Sequence, residues 1–333
     1  MSGNKSRRAA SRTIVAVVLV AIIVIAAVGV YTYQFYLKPK SIPVINVGVV
    51  VVPETVVSLM AIPYFQQHIL KGYGRDYTIE ITEFTGTPAE VDGLASGSLN
   101  IASLTYSSFL SAVLSKAVPA GMTIIASVFY DAAPGYASIH GVTLVNSTIK
   151  NAQDLIGRRV AVNLLGAGVD WDFRLYLLEN GINPSQVNIV QLPFPDMEQG
   201  LRTRQVDAVI MPVSFLWGAW LHGGVKILFN STQAWGFAYP FEFMTVNNRY
   251  LKENSATIKA FLADYVALVN YVYQPANRAT AISQLATTYK LDQTVLNHYE
   301  YTANDYYRPL NCQVNATALQ LSEDKLNKYG MIN

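Results

Sequence analysis

QDLIGRRVAVNLLGAGVDWDFRLYLLENGINPSQVNIVQLPFPDMEQGLRTRQVDAVIMPVS, residues 153–214, is the stretch from which the architecture can be read. Its apolar periodicity predicts a strand at 160–165, a glycine turn Gly166-Ala167-Gly168 and a helix over about 169–179. A second strand is expected at 187–192, a short helix around 197–204 and a third strand at 208–211. This βαβαβ order predicts a right-handed parallel sheet. In such sheets ligands meet the carboxyl ends of the strands, here Leu165-Gly166, Pro193-Phe194 and Met211-Pro212.

Working outward, the pattern recurs upstream. Residues 44–52, VINVGVVVV, read as a buried strand running into Pro53, Glu54 and Thr55, followed by a helix over 56–70. A strand over 77–84 ends at Thr85, Gly86, Thr87 and Pro88. A helix over 89–96 then leads to a strand over 100–104 with Thr105, Tyr106, Ser107 and Ser108 at its tip. Further strands are expected at 123–129, 142–145 and 242–247, and helices at 255–273, 277–289 and 292–299.

Residues 14–30, IVAVVLVAIIVIAAVGV, carry no charge, and their apolar character continues to Leu37. That length suffices to cross a hydrocarbon core of roughly 30 Å. The basic residues before it predict the amino terminus inside and the body outside. A cleaved or pilin-like signal is the alternative reading, and no cysteine follows the run to carry a lipid. Residues 1–40 are therefore assigned to a basic tip, a membrane segment through 14–37 and a linker.

The formal net charge of +2 misleads, because the first 40 residues hold six basic groups and no acid. The remainder carries 18 basic against 22 acidic residues, about −4, which gives no reason to expect nucleic acid. Cys312 is the only cysteine, so an intrachain disulfide is excluded, and His68, His140, His222 and His298 show no metal-ligand spacing. No catalytic residue, metal or cofactor is expected. Charged residues make up only 14% of the chain, which points to an acidic medium in which carboxylates are partly neutralised.

Taken in order, GLASGSLNIASLTYSSF, DLIGRRVAV with its glycine turn, LLENGINPSQVNIVQLP, GLRTRQVDAVIMPVSF and the helices after FEFMTVNN resemble a known family. They are similar to the solute-binding proteins of ABC importers for nitrate, sulfonates, taurine and thiamine pyrimidine precursors. The resemblance implies a type II periplasmic-binding-protein fold, two doubly wound α/β lobes joined by two crossovers. Lobe 1 is placed at 44–130 plus 240–333 and lobe 2 at 141–230, with crossovers near 130–140 and 234–241. It further implies a small-molecule ligand between the lobes, ABC permease and ATPase subunits as partners, and an extracytoplasmic, monomeric body. Asn100 departs from the family's usual Asp, and the stretch after Asp305 does not align. A sensor subunit is an alternative, and so is a pyrimidine-synthesising enzyme of the same fold, though one cysteine argues against that enzyme's iron chemistry.

The candidate ligand contacts are the strand tips: Pro53, Glu54, Thr55, Thr85, Gly86, Thr87, Tyr106, Ser107, Tyr130, Gly166, Ala167, Gly168, Asp170, Trp171, Met211 and Ser214. A glycine turn before a helix exposes backbone N–H groups to anionic oxygens, or it simply caps the helix. Asp170 and Asp172 either cap the helix themselves or, with Asp170 or Glu54 in the cleft, favour a neutral or amine-bearing ligand. Among eight aromatics near the expected cleft, Trp171 and Tyr106 directly follow strand tips and are the first choices for stacking.

Overall fold

The computed structural model describes residues 22–32, 41–50 and 55–332. The chain divides into two compact units, Met1–Ile42 and Pro43–Asn333. In the first, residues 22–32 are helical and exposed. Eleven helical residues span about 16 Å. Among the described residues no helix is long and apolar enough to cross a membrane. Of the expected span 14–37, residues 14–21 and 33–37 lie outside the described residues, as do Pro53 and Glu54.

The second unit holds two five-stranded sheets. The first contains β1 (Val44–Val49), β2 (Thr78–Glu83), β3 (Ile101–Thr105), β4 (Met122–Asp131) and β10 (Tyr239–Asn247), in the order β2-β1-β3-β10-β4. The second contains β5 (Ile139–Leu144), β6 (Arg159–Val162), β7 (Asn188–Gln191), β8 (Ala208–Pro212) and β9 (Val225–Asn230), in the order β7-β6-β8-β5-β9. β6 pairs in parallel with both β7 and β8, as the 153–214 pattern requires. Val160, Ala161 and Val162 are fully buried, the signature of a strand covered on both faces. β5 and β10 each run antiparallel to both their neighbours.

The helix Gly168–Glu179 buries Val169, Phe173, Tyr176 and Leu177 against this sheet. It stops at Asn180-Gly181, where Gly181 adopts φ 72°, a left-handed turn that costs other residues strain. Asn183 then caps the short turn Pro184–Gln186 with a capping box.

Several expected elements shift, each for a local reason. The helix expected over 56–70 is two pieces, the 3-10 turn Val56–Ala61 and the helix Pro63–His68. Ile62 is extended, at φ −86° and ψ 125°, because the ring of Pro63 disfavours helical backbone in the residue before it. The helix expected from residue 89 begins at Thr87, with Pro88 in its first turn, where a missing N–H costs nothing. The strand expected to reach residue 165 ends at Val162, and Tyr106 opens the helix Tyr106–Leu114 rather than a loop. β9 and the helices Val213–Leu221 and Ala316–Lys328 were not expected.

The stretch after Asp305 completes the first sheet's open edge. Tyr130 N–H donates to the Tyr307 carbonyl at 2.8 Å and Ser127 N–H to the Cys312 carbonyl at 2.7 Å. Covering an edge strand in this way satisfies backbone groups that would otherwise invite another chain. The helix Ala316–Lys328 then reaches the other lobe, where Lys325 Nζ lies 2.7 Å from Glu179 Oε1 and donates to the Trp235 carbonyl at 2.8 Å. Removing that ammonium in Lys325→Ala, a partly exposed pair with a second acceptor, is expected to lower stability by about 1 kcal/mol in a denaturant titration.

Candidate functional site

The carboxyl ends of the parallel strands in both sheets face one narrow cavity of about 20 Å³ between the lobes. Thr87, Thr105, Phe241 and Glu242 line it from the first sheet's lobe, and Asn163, Ala167, Gly168, Phe194 and Pro212 from the second's. Five helices begin there: Thr87–Ser96, Tyr106–Leu114, Gly168–Glu179, Phe194–Arg202 and Val213–Leu221. None of the five has a side-chain cap hydrogen bond. Elsewhere Thr55, Asn183, Asn230, Asn247, Asp292 and Asn315 cap the elements they precede, while Pro63–His68, Gln153–Leu155, Ser255–Val272 and Pro275–Tyr289 also begin without a side-chain cap. Uncapped helix starts expose first-turn N–H donors and the positive end of the helix dipole. Some donors are taken, Val213 N–H by the Ser138 carbonyl for example. The rest of this convergence turns helix amino-terminal dipole ends toward the cavity, whose lining holds no basic side chain.

Hydroxyls add to it. Thr87 Oγ1 lies 2.9 Å from Thr105 Oγ1 and 2.7 Å from Ser108 Oγ, and Thr105 Oγ1 lies 3.1 Å from Ser107 Oγ. The lobes touch across the cavity. Asn163 Nδ2 donates to the Thr85 carbonyl at 3.3 Å, and its Oδ1 is buried without a partner. Gly168 packs so closely against Phe241 and Thr105 that an added Cβ would lie 2.8 Å from each. On the flank, Ser214 Oγ sits 3.2 Å from Tyr306 Oη, and Trp217 stacks on His298 at 5.4 Å. The cleft is closed.

Glu242 is the buried carboxyl of this cavity. Its Oε1 accepts from Ser103 Oγ at 2.5 Å, while Ser103 N–H donates to Glu90 Oε2 at 2.9 Å. Burial pushes Glu242 up from 4.5 to about 7, against the pull of the Ser103 hydroxyl and the Arg308 charge. Burial, and then the neighbouring Glu242, hold Glu90 well above the usual carboxylate range. Burial likewise raises Asp131, Asp172, Glu300 and Asp305.

The sign of the resulting pH dependence follows from these directions. A raised carboxyl holds in the folded state a proton that the unfolded chain gives up. Glu242's contribution is intact below pH 4.5 and is lost as pH rises to about 7, at most roughly 3 kcal/mol. Buried His140, lowered to about 4 by burial, acts in the opposite sense, but only below its ordinary 6.5. The empty protein is therefore expected to melt at a higher temperature at pH 6.5 than at pH 8. A flat or inverted profile would contradict the carboxyl burial.

Of the contacts expected from sequence, Thr87, Ala167 and Gly168 line the cavity. Thr85 contributes its carbonyl at the lobe contact, Gly86 packs on Leu164, and Ser107 joins the hydroxyl cluster. Ser214 lies in a neighbouring chamber of about 340 Å³ with Phe215, Tyr289 and Tyr299. Others point elsewhere. Thr55 caps its own turn, and Met211 is core. Gly166 N–H is held by Asp170 Oδ2 at 2.9 Å, and Asp170 Oδ1 accepts from Arg174 Nε at 2.9 Å, so Asp170 serves the turn rather than the cavity. Trp171 faces Tyr329 and Met331 in a separate cavity. Tyr106 Oη donates to the Leu319 carbonyl, and Tyr130 Oη accepts from Asn315 N–H at 2.6 Å. Both phenols are thus tied to the carboxyl-terminal segment.

Glu242 and Asn163 escaped the sequence reading. Glu242 interrupts the apolar run YPFEFMTV, and a lone acid in a buried strand is the signal that marks it. Asn163 was hidden by a strand expected to run past it. Asp172 is also fixed: its Oδ1 accepts from Trp235 Nε1 at 2.7 Å and Tyr239 Oη at 2.5 Å, beside the second crossover. Among the described residues no group of three or more His, Cys, Asp or Glu side chains could hold a metal ion.

Two α/β lobes closing on a cavity at their strand ends define a binding-protein architecture, and the sequence comparisons agree. Residues 63–286 match the NMT1-like family, and the chain belongs to it. It is 26% identical over 189 residues to the taurine-binding periplasmic protein of Escherichia coli K12, covering 55% of this chain and 54% of that protein. The chain thus spans about half the length of the curated relative that it matches. The fold is similar to the alkanesulfonate-binding protein of Xanthomonas axonopodis pv. citri bound to MOPS, at TM-score 0.71 and 17% identity, covering 88% of this chain and 96% of that one. It is also similar to the nitrate-binding protein of Synechocystis PCC 6803, at TM-score 0.67 and 13% identity, covering 88% and 83%.

Proposed function

We propose that this chain is an extracytoplasmic solute-binding protein that closes on a small organic molecule carrying an anionic oxygen group and delivers it to an ABC import permease and its ATPase. The carrying observation is the convergence of five uncapped helix starts on one interlobe cavity. Anions are held well by such N–H groups. The names of the relatives, which bind sulfonates, taurine and nitrate, support the same class. In this reading the chain catalyses nothing and works as a monomer. The contacts are Thr87, Thr105, Asn163, Ala167, Gly168 and Glu242, and the lobes are 44–130 plus 240–333 and 141–230. The uncharged run 14–30 supports a membrane anchor through 14–37 that holds the body outside the cell.

A thermal-shift screen tests the reading, run in a chloride buffer because MES, MOPS and HEPES are themselves sulfonates. The panel comprises taurine, alkanesulfonates, nitrate, thiamine pyrimidine and amines that carry no acid group. A ligand at 100 times its Kd adds about 2.7 kcal/mol of stability. Shifts with compounds bearing an anionic group alone are expected. A response confined to amines without an acid group would overturn the anionic assignment.

A further inference from the structure

We infer that the cleft takes up its anionic ligand together with a proton held on Glu242, so that Glu242 is a specificity-determining hydrogen-bond donor and capture is stronger in acid. The inference rests on the anion-binding reading above and names how that site discriminates.

Glu242 lines the cavity from β10 and is only 3% exposed. Ser103 joins it to a second buried carboxyl, Glu90, through one residue: the hydroxyl serves Glu242 and the backbone N–H serves Glu90. Glu90 Oε1 is buried with no partner, so this carboxyl has too few donors to hold a charge there comfortably. Two carboxyls this closely joined do not both ionise. The groups that act on Glu242 from packed elements are Glu90 on the helix Thr87–Ser96, Tyr265 on the helix Ser255–Val272, and Arg308 on the carboxyl-terminal segment. Arg308 favours the ionised form, but its guanidinium is already engaged by Asp305 and Glu300.

An anion among the helix starts tips this balance. With Ser103 donating to Oε1, the proton belongs on Oε2, which then donates to a ligand oxygen. An ionised Glu242 would instead face the anion charge to charge inside a water-poor cavity. The same carboxyl selects among ligands, favouring one with an acceptor oxygen turned toward β10.

The test uses the full chain and ethanesulfonate, which carries no amine, followed by calorimetry from pH 5.5 to 8.5 in two buffers of different protonation enthalpy. Nitrate is the second probe. Affinity is expected to be level in acid and to fall up to about tenfold per pH unit above about pH 7, with close to one proton taken up per ligand at pH 8. Glu242→Gln is expected to bind with no pH slope and no proton uptake. A wild-type affinity independent of pH, one that rises with pH, or a slope retained in E242Q would each overturn the inference while leaving anion binding intact. If neither probe binds at pH 5.5, the anion-binding reading falls and this inference with it. Should E242Q not fold, proton uptake by the wild-type protein decides alone.

Discussion

Gly168→Val is expected to weaken ligand capture on the order of 100-fold, about 2.8 kcal/mol, while leaving the empty protein folded. A Cβ at this position would sit 2.8 Å from both Phe241 Cζ and Thr105 Cγ2, and valine adds two further methyls. Both obstructing groups belong to the opposite lobe, so the clash exists only when the cleft is shut. A hinged protein escapes it by staying open, which forfeits the contacts made only in the closed state. Isothermal titration with any probe that binds the wild type reads the loss. Solution scattering of the variant should show no contraction on adding that probe. An affinity within threefold of wild type would mean that the lobes do not need to meet at this point. Gly168→Ala should fall between the two.

The largest stability effect is expected at Arg308. Its guanidinium is buried and bonded to Asp305, lies 3.6 Å from Glu300 Oε1, donates to Tyr273 Oη at 3.0 Å, and sits over the rings of Tyr301 and Tyr306. Arg308→Met removes the buried cation that Asp305 and Glu300 share, which costs about 3–5 kcal/mol. At roughly 2–4 °C per kcal/mol for a protein of this size, the melting midpoint should fall by about 10 °C. The loss should be smaller at pH 5, where those acids recover protons, and Glu300→Gln with Asp305→Asn should restore much of it. A midpoint within 3 °C of wild type would show that the buried charge is not held as described.

Residues 153–214 are legible in the sequence because buried parallel strands such as Val160-Ala161-Val162 are continuous apolar runs, and because Gly181 and Asn183 mark the turns between elements. Pro63 broke a helix for a reason equally visible in the chain. The site was harder to read. Thr87, Ala167 and Gly168 follow from the rule that ligands meet strand ends, but the rule does not say which tip residues turn inward. Trp171 and Tyr106 follow strand tips as closely, yet the helices they belong to direct them at the carboxyl-terminal segment. Asp170 resolves toward its own turn because Gly166 N–H and Arg174 lie within its reach. Glu242 enters the cavity from a strand about 75 residues downstream of the central stretch's glycine turn, and only the antiparallel insertion of β10 between β3 and β4 brings it there.

That insertion also orders the events of folding. All strands of the second sheet lie within 139–230, so its lobe can assemble as soon as those residues exist. The first sheet lacks the strand between β3 and β4 until 239–247 has been made, and its edge stays uncovered until Tyr307 and Cys312 arrive. Joining β3 to β10 closes a loop of well over 100 residues, a non-local step that folds late. This connectivity favours closing the inner lobe before the outer one, whose sheet is completed only by β10 and the segment carrying Tyr307 and Cys312.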